Sequence, residues 1–182
     1  MRWSAHPVSS HAFVDETKVN GLLLVAAVVA PRDLAPARTM MRGLCLPGQA
    51  RLHFTKERPR RRGEIAAAIC RTGAGLHIYD ASAITDPKNA REACLRQLVA
   101  DLAAAGAQRL VIEQDESLLK HDQTVLYAAV RAADVARSLA YEHLPARSEP
   151  LLWIADAAAW CWTHGPTWRA RITPAVVSSQ TL

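Results

Sequence analysis

The stretch His11-Ala12-Phe13-Val14-Asp15-Glu16-Thr17-Lys18-Val19-Asn20-Gly21, followed by Leu22-Leu23-Leu24-Val25-Ala26-Ala27-Val28-Val29, decides the fold. Two apolar runs separated by a polar turn over residues 18–21, with Asn-Gly in it, read as a β-hairpin. The second run is apolar at every position, as expected of a strand covered on both faces, and Pro31 ends it. The carboxylate pair Asp15-Glu16 stands where the first strand should stop.

Outward from the hairpin, residues 31–50 hold one short helix, 34–44, closed by Pro47-Gly48. Leu52-His53-Phe54 is a brief extended piece, and 56–71 a basic helix interrupted near its start by Pro59. Leu76-His77-Ile78-Tyr79 is a third strand. Over 89–105, Leu95, Leu98, Val99 and Leu102 recur at helical spacing, and Gly106 supplies the stop. Arg109-Leu110-Val111-Ile112-Glu113 is a fourth strand, 122–137 a helix, 138–144 a fifth strand and 150–164 the final helix, before a short tail. Strands alternating with helices late in the chain imply parallel crossovers. With no internal repeat and no linker, residues 1–182 are expected to form a single α/β domain.

The chain has 182 residues, half of them hydrophobic, enough for a real core. Its net charge of +5 mildly favours polyanions. Cys45, Cys70, Cys94 and Cys161 show no zinc spacing, which predicts buried, reduced thiols. No secretory signal is visible, and the longest apolar run is about half of what a bilayer span needs. A cytoplasmic location and no membrane contact are the default expectations. Neither a phosphate-binding glycine loop nor a Gly-x-Ser-x-Gly elbow occurs.

Three carboxylates lie where an apolar element should have ended or stayed apolar. Asp15 closes strand one and Glu113 closes strand four, with Asp115 and Glu116 just beyond. Asp156 interrupts Leu151-Leu152-Trp153-Ile154-Ala155-Asp156-Ala157-Ala158-Ala159-Trp160. An ionised carboxylate is costly there unless paired or bound to a cation. Ligands of open α/β sheets gather at the carboxyl ends of strands, where Asp15 and Glu113 fall. Each acid alone has a plain structural explanation: Asp15-Glu16 as turn residues, Asp115 as a cap, Asp156 as an arginine's partner. The functional reading rests on all three together.

This layout resembles the ribonuclease H-like superfamily, with 31–73 as a helical insertion between strands two and three of a mixed five-stranded sheet flanked by helices. More narrowly, Phe13-Val14-Asp15-Glu16-Thr17 and Ile154-Ala155-Asp156-Ala157 resemble the end motifs of an uncharacterised group of small proteins of that superfamily. That group has an Asp-Glu-Ser strand end, an Ala-Asp helix motif, and a histidine between them whose counterpart is His53. Thr17-Lys18 stands where the group has Ser-Gly, the polar residue often found just before Ala-Asp is apolar, and the strand-four acid is a Glu.

The resemblance implies a metal-dependent nuclease. Mg²⁺ or Mn²⁺ ions about 3.5–4 Å apart would be held by Asp15, Glu113 and Asp156, with Asp15 bridging. His53 would orient water or protonate the leaving oxygen, while Glu16 or Asp115 would stand behind the ligands; His143, beside Glu142 on the fifth strand, is read as an auxiliary residue of the site or, by preference, a structural one. Lys56, Arg58, Arg60, Arg61 and Arg62 would grip phosphates independently of sequence, or equally form a solvated helix face. Trp153, Trp160 and Trp162 offer stacking surface, although such spacing more often marks core. The alternatives are a non-catalytic module of the same fold that binds nucleic acid or a protein partner, and a metal-dependent hydrolase of a small phosphorylated substrate.

Overall fold

The computed structural model describes residues 9–182. The hairpin forms as expected: β1 (His11–Thr17) and β2 (Leu23–Val29) are antiparallel, His11 opposite Val29 and Thr17 opposite Leu23. Asn20 and Gly21 carry the left-handed dihedrals of the turn, φ 60° and 102°. At Gly21 a Cβ would lie 2.6 Å from the Ser82 backbone, so the turn requires glycine on two counts.

β3 (Gly75–Asp80) pairs antiparallel with β2. On the other flank β4 (Arg109–Glu113) runs parallel to β1, and β5 (Ala140–Leu144) parallel to β4. The sheet has six strands rather than the expected five, in the order β5-β4-β1-β2-β3-β6. The added strand, β6 (Val176–Thr181), joins the edge parallel to β3. Its Ser178-Ser179-Gln180-Thr181 stretch carries no apolar alternation, because an edge strand is held by backbone pairing and by polar contacts. Gln180 Nε2 donates to Asp101 Oδ2 at 2.9 Å, and Ser178 meets His77 at 2.7 Å.

Side-chain alternation divides the core in two. Phe13, Val25, Ala27, Leu76, Ile78 and Val111 face one way and meet α5 (Leu152–Thr163), with α1 (Leu34–Gly43), α2 (Pro59–Ile69) and α6 (Pro166–Ile172) around it. Ala12, Val14, Leu24, Ala26, Val28, Leu110 and Ile112 face the other way, against α3 (Pro87–Ala104) and α4 (Leu119–Ala132). Both faces of β2 are buried, which explains its unbroken apolar run. α5 is apolar nearly all round, and its alanines let it lie close on β1 and β2.

Element boundaries follow local chemistry. Asp86 accepts the Asn89 N–H at 2.8 Å and Pro87 takes the first helical position, so α3 opens two residues before the periodicity predicts. Its end is a Schellman turn on Gly106, with Ala107 N–H to the Leu102 carbonyl and Gly106 N–H to that of Ala103. α4 stops at Ala132, short of the expected 137, in the same motif built on Asp134 (φ 55°). Pro59 opens α2 instead of interrupting it, and Lys56 belongs to a preceding 3-10 turn. The expected final helix is followed by α6. Cys94 and Cys161 are buried free thiols, whereas Cys45 and Cys70 are half-buried. Among the described residues, no helix is long and apolar enough to cross a membrane.

Candidate metal centre

Parallel pairing of β1 with β4 sets Val14 opposite Ile112, so Asp15 and Glu113 follow side by side at the strand ends. Alternation turns both toward α5, on the side of Phe13 and Val111. From α5, Asp156 enters the same space, the one half-buried position in an otherwise buried run from Leu152 to Ala159. The three carboxylates line one cleft of about 660 Å³, together with Lys18, Thr55, Asp115, Trp160 and His164.

Their electrostatics are those of acids held together without enough positive charge. Burial first, then the charges of Glu113, Asp156 and Glu16, drive the Asp15 carboxyl well above the ordinary range, against one backbone bond from Glu16 N–H at 2.8 Å. Asp156 is pushed up to about 6 by burial and by Glu113, with Arg51 opposing. Glu113 is raised by burial, while Arg51 and a hydrogen bond with Asp15 pull it back. This surplus of hard carboxylate oxygens fits a divalent cation such as Mg²⁺ or Mn²⁺. Among the described residues no three His, Cys, Asp or Glu side chains already enclose a common point, so the ligands would have to draw inward around an ion.

The supporting residues are distributed differently from the sequence expectation. His53 does not line the cleft; its Nε2 accepts from Arg51 Nε at 3.2 Å, and Arg51 Nη1 reaches Glu113 at 3.3 Å. Burial, Arg51 and Lys56 lower the His53 pKa, consistent with an imidazole that accepts from a guanidinium. Glu16 lines the cleft, but its carboxylate forms an ion pair with Arg91 at 2.7 Å. Arg91 in turn binds Asp122 through Nε and Nη2 at 2.6 and 2.7 Å, and His143 Nε2 lies 3.1 Å from Asp122. His143 therefore belongs to a buried network, away from the three acids. Asp115 stands at the rim, its pKa lowered by hydrogen bonds from the Ser117 side chain and backbone.

The basic run also divides. Lys56, Arg58 and Arg60 are exposed. Arg61 binds Glu57 at 3.3 Å and the Leu44 carbonyl, so it staples the insertion. Arg62 donates to the Phe54 and Thr55 carbonyls and lies over Trp160, 4.3 Å from the ring centre. The tryptophans differ too. Trp153 is core and donates to the Ala146 carbonyl at 2.7 Å, whereas Trp160 forms part of the cleft wall and Trp162 carries Arg169 over its ring.

Sequence reasoning missed the cleft-associated Arg51 and His164, and it took Trp160 for core in preference to stacking surface. The last two had a signal: with Asp156 they recur every fourth residue, hence on one helical face. Arg51 had none, because it lies in a loop with no periodicity.

A mixed sheet with a central antiparallel hairpin and parallel flanking strands is ribonuclease H-like in fold. Among solved structures, it is similar to the archaeal ribonuclease HII of the PCNA:RNase HII complex from Archaeoglobus fulgidus, with a TM-score of 0.55 at 14% identity over 83% of this chain and 71% of that one. No protein-family model and no curated protein matches the chain.

Proposed function

We propose that the chain is a metal-dependent nuclease that hydrolyses phosphodiesters of nucleic acid. The observation that carries the reading is the meeting of Asp15, Glu113 and Asp156 in one cleft at the carboxyl ends of β1 and β4. Bound Mg²⁺ or Mn²⁺ would activate water and neutralise the charge that develops on phosphate. The chain's own part is to hold three oxygen ligands on two adjacent strands and a facing helix. It also keeps Arg51 beside Glu113, where a guanidinium can shift from carboxylate to phosphate. Thr55 and Asp115 shape the rim where a strand enters. One observation favours a non-catalytic module instead: the Arg51–Glu113 ion pair already satisfies a candidate ligand.

End-labelled single- and double-stranded DNA and RNA, incubated with the purified chain and Mn²⁺ or Mg²⁺, test the proposal. Cleavage of at least one substrate is expected, abolished by chelation. Asp15→Asn should reduce it by about 100-fold or more, since a ligand to a catalytic ion is worth several kcal/mol at ~1.4 kcal/mol per decade. No cleavage under any condition, or full activity in Asp15→Asn, would overturn the reading.

Binding should also carry an electrostatic signature. Replacing Lys56, Arg58 and Arg60 together by Ala is expected to flatten the dependence of log affinity on log salt by about 2–3, at roughly 0.7–0.9 for each phosphate no longer neutralised. An unchanged slope would assign these side chains to solvent.

A further inference from the structure

We propose that Arg62, Trp160 and His164 form a nucleobase-stacking subsite that receives an unpaired nucleotide beside the acidic centre; this rests on reading the cleft as a nucleic-acid site. The three groups are layered. The Arg62 guanidinium lies 4.3 Å from the centre of the Trp160 ring, and the His164 imidazole stacks on the same indole at 3.8 Å with 11° between planes. Phe54 and Trp168 meet Trp160 edge-on, each at 5.3 Å, and fix its tilt.

Every layer is anchored. Arg62 is tied to the Phe54 and Thr55 carbonyls. His164 Nδ1 lies 2.8 Å from the Trp160 carbonyl, which holds the proton on Nδ1 and sets the ring plane. The pile does not close on protein: His164 is exposed and lines the cleft that holds Asp15, Glu113 and Asp156. A core tryptophan of this chain looks different, since Trp153 is 4% exposed and hydrogen-bonded. A fixed aromatic pile that ends in an open ring, in a cleft suited to phosphate chemistry, is a platform awaiting one more flat layer.

Spacing sets the substrate class. Asp156 on α5 and His164 at the cap that follows it are eight residues apart, about 12 Å of helical rise at 1.5 Å per residue. At ~3.4 Å per stacked step, the base on His164 lies a few nucleotides from the phosphate at the carboxylates. A base can offer its face there only when unpaired, so the substrate is single-stranded, or frayed, at that position. Every base has a π-face, so little sequence preference is expected.

The test separates this subsite from the nuclease reading by working in chelator, where nothing is cut. Fluorescence anisotropy compares a labelled single strand, the same strand lacking its bases, and a blunt duplex. The base-bearing strand should bind about 5- to 150-fold tighter than the abasic strand, the worth of one stacked base, and also tighter than the duplex. His164→Gln should erase that preference and His164→Phe should keep it, each variant being checked by its melt. Equal binding of base-bearing and abasic strands, or a preference that survives in His164→Gln, overturns the subsite even if the chain cuts with Mn²⁺. A preference that follows ring character in a chain that never cuts would keep the subsite and remove the nuclease.

Discussion

Asp156→Asn is expected to make the metal-free protein more stable while blunting its response to Mn²⁺. In the folded chain the Asp156 carboxyl is pushed up to about 6 by burial and by Glu113, whereas in the unfolded chain it returns to about 3.9. Between those values the folded state holds more protons than the unfolded one. Stability therefore falls as pH rises through that window and stays lowered above it. Two units at ~1.4 kcal/mol each put the cost at neutral pH near 2–3 kcal/mol at most.

A neutral amide of the same shape removes that cost. The melting temperature should rise by up to about 10 °C at pH 7–8, and the gain should shrink toward pH 4, where the wild-type acid is already protonated. Mn²⁺ stabilises whatever state binds it, so wild type should gain in melting temperature with added metal and Asp156→Asn should gain much less. Scans across pH with and without Mn²⁺ read both effects. A variant that melts no higher than wild type at neutral pH would mean that the cleft already neutralises its acids. A stability gain from neutralising a single buried charge is what a site held in strain for function predicts.

The same cleft shows what the sequence made legible. β1 and β4 were readable as short apolar runs, Ala12-Phe13-Val14 and Leu110-Val111-Ile112, that give way to acids at Asp15 and Glu113, whereas the parallel register that sets those two acids side by side is a tertiary fact. Asp156 was readable because nothing else in α5 is charged. The pair Asp15-Glu16 was only half legible. Successive residues of a strand face opposite ways, so Glu16 turns to Arg91 while Asp15 turns to the acids. That distinction needs the partner on α3, some 75 residues away in sequence, between positions 16 and 91.

Arg51 was invisible for a related reason. Its role is set by where an aperiodic loop is folded back, and the bonds that fix that loop, Arg61 to Leu44 and Glu57, are themselves long-range or at a helix entrance. β6 escaped because an edge strand with one exposed side needs no hydrophobic pattern. The end of α4 was overshot because Asp134, rather than a glycine, adopts the left-handed turn. In each case local composition was neutral, and tertiary packing made the decision.

Arg91→Met is expected to be the most damaging single change to the fold. Arg91 is 2% exposed at its side chain and sits between two acids: Asp122, 1% exposed, and Glu16, 11% exposed. The bond to Asp122 is bidentate, whereas Nη1 approaches Glu16 at 2.7 Å off the direction of a good hydrogen bond. Methionine would fill much of the volume but leave Asp122 with only His143 at 3.1 Å. Removing one partner of a buried pair costs about 3–5 kcal/mol, which lowers the melting temperature of a chain this size by roughly 10 °C or more. Acid sets the direction of a second readout. Burial pulls the Asp122 pKa up, but the hydrogen bonds from Arg91 and His143 outweigh it, so the folded value is lowered. Its stabilisation is therefore present above the unfolded value near 3.9 and fades as pH falls through the folded one. The gap between wild type and Arg91→Met should be full at pH 6–7 and close in strong acid. Adding Asp122→Leu to Arg91→Met should recover part of the loss, because the stranded charge rather than the missing guanidinium carries most of the penalty. If the double variant melts no higher than the single one, the penalty lies in packing around α3 and α4, and the Glu16–Arg91–Asp122 chain is not what holds the underside of the cleft.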